Sequence, residues 1–84
     1  MTGNHLRAAR SLLGWSQSQV AEAAKLSIPT VKRAEGSGLI SASADAVFAI
    51  RSALEAAGVD FIEENGGGAG VRFKFKSKDI SNDN

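Results

Sequence analysis

One stretch of twenty residues, Ser16 to Glu35 (SQSQVAEAAKLSIPTVKRAE), constrains this chain more than any other. Helix-start signals occur in it twice, so close together that neither helix can exceed about two or three turns. Ser16 stands where it can N-cap a helix from about Gln17 to Ala24, and Ser27 where it can cap a second ending at Glu35. Pro29 falls in the first turn of that second helix, where its missing N–H removes no helix hydrogen bond. It also pushes Ile28 away from the helical region, so the start lies at residue 28 or 29. Ala21, Leu26, Ile28, Val31 and Ala34 supply apolar contacts at helical spacing around the joining turn. The small Ala21 lets the two helices cross closely. Thr30, Lys32 and Arg33 remain on the second helix as outward polar reach.

This is the pattern of a helix-turn-helix, whose second helix can enter a DNA major groove. The motif alone is a common accidental match, but its flanks extend it. LRAARSLLGWSQ precedes it (Leu6–Gln17), and AIRSALEAAGVDFIEENGGGAGVRF follows (Ala49–Phe73). With both flanks, the chain resembles the phage-repressor-like helix-turn-helix family of bacterial transcription regulators over roughly Leu6 to Phe73. The C-terminal run resembles a subgroup of small single-domain regulators. The resemblance implies a mainly α, four-helix, lambda-repressor-like domain with a C-terminal two-stranded β-hairpin. It also implies that Arg10, on the first helix, meets Glu35 at the end of the recognition helix as a structural ion pair, and that Gln17 contacts a phosphate. At one position the chain departs from the family: Lys25 stands in the turn where glycine is usual, a place that tends to need φ > 0.

Eighty-four residues make one domain. A chain of this length buries about 60–65 % of its unfolded surface, so stability is expected to be modest and dimerisation would help. The absence of cysteine excludes a disulfide framework and a Cys-based zinc site, and the single histidine, His5, reads as an ordinary helix-start or surface residue. No apolar run approaches 18 residues and MTGNHLRAAR has no signal-peptide core, so a soluble, cytoplasmic protein without membrane contact is expected. The net charge of +1 conceals an asymmetry. Residues 1–38 carry five basic side chains against two acidic; residues 39–64 carry Arg51 alone against five acids; residues 65–84 carry four basic against two acidic. A basic motif half suits phosphate, but the excess is small, so useful affinity would need two half-sites on a dimer.

Along the rest of the chain, residues 1–4 read as a frayed start with Asn4 a candidate cap, and helix one as about His5 to Leu13, with Leu6, Ala9 and Leu13 buried and Leu12 beside them. Gly14 ends it. Trp15 reads as a cover over the junction of helices one and two rather than as a base-stacking residue. Leu39 to Ser43 is a linker; Ser43 or Asp45 caps helix four, about Ala44 to Ala57, with Val47, Ile50, Leu54, Ala46, Ala53 and Ala57 inward and Gly58 as its stop. Phe48 points elsewhere. With Arg51 it marks either a dimer or partner surface, or simple edge packing. Val59–Glu63 and Val71–Lys76 read as two strands joined by a glycine-rich turn, so the hairpin covers 59–76. Val71, Phe73 and Phe75 form an apolar face that packs on the helices; Phe73 and Phe75 are also candidates, with Phe48 and Arg51, for a dimer or partner surface, and the open edge is a candidate for pairing with a second subunit. The glycines are no phosphate cradle, since neither Lys-Ser/Thr nor a helix follows. Residues 77–84 read as a disordered tail.

The expected function is sequence-specific binding of double-stranded operator DNA by a homodimer that regulates, and in the simplest case represses, transcription. Thr30 and Arg33 would face base edges, Ile28 and Pro29 a thymine methyl, and Gln17, Ser18, Lys25, Ser27 and Lys32 the backbone side of the contact. The alternative is a protein-binding module of the same fold, an antiactivator that docks on a transcription factor without touching DNA. No catalytic constellation, cofactor motif or metal-ligand spacing is present, so no enzyme is expected.

Overall fold

The computed structural model describes residues 3–36, 41–63 and 67–74. Four helices are followed by an antiparallel hairpin: α1 (Gly3–Leu13), α2 (Gln17–Ala24), α3 (Ile28–Glu35), α4 (Ala44–Ala56), β1 (Val59–Ile62) and β2 (Gly70–Phe73). Serine starts three of the helices. The hydroxyls of Ser16, Ser27 and Ser43 accept the N–H groups of Gln19, Thr30 and Ala46 at 3.1, 3.2 and 3.1 Å. At α2 the bond is returned, with the Ser16 N–H donating to Gln19 Oε1 at 2.7 Å, so two otherwise orphaned donors are satisfied together.

One apolar cluster holds the elements together: Leu6 and Ala9 of α1, Val20 and Ala21 of α2, Val31 and Ala34 of α3, Ile50 and Leu54 of α4, Val59 and Phe61 of β1. Within α4, Ala46, Ile50 and Leu54 are the buried residues, while Val47 is partly buried and Ala57 lies exposed past the helix end. Arg51 ties α4 to the hairpin. Its guanidinium bonds Glu55 and Glu63 and lies 5.3 Å from the centre of the Phe61 ring. The hydrogen bond to Glu55, with that to Glu63, raises its already high pKa against the opposing effect of burial.

The hairpin pairs Val59 with Phe73, Asp60 with Arg72, Phe61 with Val71 and Ile62 with Gly70. Residues directly opposite share a face, so Val71 and Phe73 lie on the core side with Val59 and Phe61. The expected packing of this face is only partly realised. Val71 packs against the core, whereas Phe73 is 49 % exposed. Phe75, the end of the expected strand, the tip of the turn and the tail lie outside the described residues, as do Ser37, Gly38 and the first two linker residues, Leu39 and Ile40.

The start of α1 differs from the sequence reading. Gly3 and Asn4 are helical, and the start of α1 abuts the end of α3. A Cβ at Gly3 would stand 2.8 Å from the carbonyl carbon and oxygen of Glu35 and 2.9 Å from Ala34 O. Arg7 secures the junction, its Nη1 donating to Glu35 O at 2.8 Å and its Nη2 to Asn4 Oδ1. The positive end of one helix therefore meets the negative end of another, a favourable dipole arrangement. Gly3→Val is expected to cost about 1–3 kcal/mol by overpacking against unyielding backbone. An unchanged urea midpoint would show that the first turn of α1 does not depend on α3.

Candidate nucleic-acid interface

Helix α3 has two unlike sides. Val31, Ala34 and Glu35 are buried, whereas Pro29, Lys32 and Arg33 are exposed, Ile28 is 40 % exposed and Thr30 is half-buried. The apolar residues recur at helical spacing and hold one stripe against the core, which leaves the opposite stripe to solvent. Ser27, Thr30 and Arg33 form a chain along the helix: Ser27 Oγ and Thr30 Oγ1 are 2.8 Å apart, and Arg33 Nη2 donates to Thr30 Oγ1 at 3.3 Å. Thr30 and Arg33 also line an open groove of about 410 Å³ between α3 and the start of α4, with Leu26, Ala42 and Ala46 among its apolar lining and Asp45 among its polar lining.

Behind α3, one carboxylate gathers three elements. Glu35 is 3 % exposed. Its Oε2 accepts from Arg10 Nε at 2.8 Å; its Oε1 accepts from Arg10 Nη2 and Gln17 Nε2, each at 3.1 Å. Arg10 Nη1 also donates to Trp15 O at 3.0 Å, and Trp15 packs against the core where α1 meets α2. Gln17, placed at the phosphate by the resemblance, thus has its amide nitrogen on Glu35 and ties the first turn of α2 to the last turn of α3. That bond escaped the sequence reading, because a glutamine eighteen residues from a glutamate gives no periodic signal. Ser18, one residue on, is exposed.

The turn between the helices is a Schellman closure. Leu26 N–H donates to Ala21 O at 2.9 Å and Lys25 N–H to Glu22 O at 3.3 Å. Lys25 lies in the left-handed region at φ 60°, ψ 46°, and among the described residues it is the single non-glycine with positive φ. Its side chain is exposed and enters no ion pair there.

Of the remaining singled-out residues, Phe48 is 70 % exposed, and Arg51 is occupied by Glu55, Glu63 and Phe61. His5 is half-buried in α1. Among the described residues no group of His, Cys, Asp and Glu side chains is placed to hold a metal ion, and no helix is long and apolar enough to cross a membrane. Neither a family model nor a curated protein matches this chain.

Proposed function

We propose that this chain is a DNA-binding transcriptional regulator of the phage-repressor-like helix-turn-helix family, acting as a dimer on an operator through the major groove. The observation that carries the reading is the presentation of α3. Its inner stripe is locked to the core and to Arg10 through Glu35, while Thr30, Lys32 and Arg33 face outward on a short, capped helix. A rigid helix with a bare polar edge is what base readout needs. Because Glu35 is neutralised internally by Arg10, the outward charge of the motif is that of Lys25, Lys32 and Arg33 against Glu22. In this reading Arg33, steadied by Thr30, reads a base edge, Ile28 and Pro29 offer apolar contact to a methyl group, and Lys32 and Ser18 meet phosphates.

Arg33→Ala is expected to weaken operator binding by about 1–3 kcal/mol and to leave random-duplex binding much less affected. Lys32→Ala should weaken both about equally and lower the salt slope by about one. Competition titrations of each variant on operator and random duplex check this; equal losses on both DNAs for both variants would overturn the assignment. One observation favours a second reading, a protein-binding module: Phe48 is 70 % exposed on a helix far richer in apolar residues than in charges. A wild-type protein that shows no salt-dependent affinity for random duplex in dilute buffer would favour that partner reading instead.

A further inference from the structure

We infer that Lys25 is a phosphate-contacting residue, kept in a strained turn position for the charge of its side chain; the inference rests on the DNA-binding reading above. The argument comes from comparing two helix exits within this molecule. At the end of α1, Trp15 N–H donates to Arg10 O at 3.1 Å and Gly14 N–H to Ser11 O at 3.0 Å, with Gly14 at φ 69°. At the end of α2 the same pair of bonds forms, from Leu26 to Ala21 and from Lys25 to Glu22, with Lys25 at φ 60°. The backbone requirement is identical at both sites. Glycine meets it without steric strain, because it has no Cβ to crowd the carbonyl oxygen; lysine does not. After α4 the positive-φ position is again glycine, Gly58 at φ 114°. Nothing about the closure calls for a lysine.

What the lysine adds is a side chain. That side chain is exposed, enters no ion pair among the described residues and extends from the turn that separates α2 from α3. Strained non-glycine residues concentrate where a side chain or backbone is used. An exposed ammonium group on the turn that leads into α3 suits a non-bridging phosphate oxygen of duplex DNA, contacted as a point charge without base preference. The competing explanation is purely local: a cation near the last carbonyls of α2 gains from the helix dipole and so compensates the strain by itself.

Two measurements on the full chain separate these. The first is thermal unfolding of wild type, Lys25→Gly and Lys25→Arg. The second is the slope of log affinity against log salt on random-sequence duplex for the same proteins, with Lys25→Asn added as a neutral residue that tolerates the left-handed region. Lys25→Gly is expected to melt about 4–8 °C higher and to lose about 0.9 of the salt slope. Lys25→Asn should lose the same slope, and Lys25→Arg should retain both slope and melting temperature. A glycine variant that melts no higher would show that the helix dipole already offsets the strain, and overturns the inference. A wild type that binds duplex while Lys25→Gly keeps the full slope overturns the lysine contact alone. A wild type without salt-dependent binding removes the DNA reading and this contact together, even where the glycine variant melts higher.

Discussion

Arg10→Ala is expected to destabilise the domain by about 3–5 kcal/mol, the loss typical when one member of a buried ion pair is removed. Glu35, at 3 % exposure, would keep one neutral donor, Gln17 Nε2, where it now has three bonds from charged and neutral groups together. A domain of this size has a total stability on the order of 5–10 kcal/mol, so the variant would be half-unfolded in mild denaturant. The loss has two parts. The carboxylate is left buried without its charged partner, and Trp15 O loses the Arg10 Nη1 bond that fixes the α1–α2 junction. Arg10→Met with Glu35→Leu removes both charges and should recover most of the first part, since apolar replacements of similar volume often match a buried pair. Urea unfolding of the single and double variants checks this. A loss under 1 kcal/mol for Arg10→Ala would mean that the pair behaves as an exposed one.

The local architecture was legible because its signals are local. Ser16, Ser27 and Ser43 cap helices three residues before the N–H they accept, and Gly14 and Gly58 mark helix ends through positive φ. The alternation that predicts the hairpin depends only on neighbours in sequence. What failed to show is set by distance along the chain. Nothing near Gly3 says that its missing Cβ faces the backbone of Glu35, and residues 1–4 read as frayed on their polarity alone. Phe73 falls on the core side of the hairpin as its parity requires, yet parity cannot say whether a helix lies over that end of the strand. In the candidate interface, the outward set Thr30, Lys32 and Arg33 follows from helical period. The pairing of Arg10 with Glu35 does not: no spacing rule joins residues twenty-five apart, and the family resemblance alone suggested it. The engagement of Gln17 with Glu35 had neither kind of signal. Its visible neighbours indicated a helix start and nothing of where the amide would turn.

The two sides of α4 should respond to truncation in opposite ways. Leu54 is fully buried, and its helix packs against α1, α2, α3 and β1, so Leu54→Ala would open a cavity where all of these elements meet. The expected loss is about 2–5 kcal/mol, combining lost transfer energy with incomplete collapse of the site. It should be the same at every protein concentration, because the contacts are within one chain. Phe48, two turns earlier and 70 % exposed, has little intrachain burial to lose. Phe48→Ala should therefore change monomer stability by no more than about 0.5 kcal/mol. If copies of the chain meet through this side chain, its burial is supplied by the second copy, and the cost appears only where the wild type is associated. Unfolding followed at micromolar and at hundred-fold higher concentration distinguishes the cases. A midpoint that rises with concentration in wild type and ceases to do so in Phe48→Ala places the side chain in an interface between copies. A midpoint that rises with concentration in both proteins alike makes Phe48 a solvent-facing edge and puts the dimer required by the operator model on another surface; midpoints independent of concentration in both mean that free copies do not associate and leave that dimer to form on the operator.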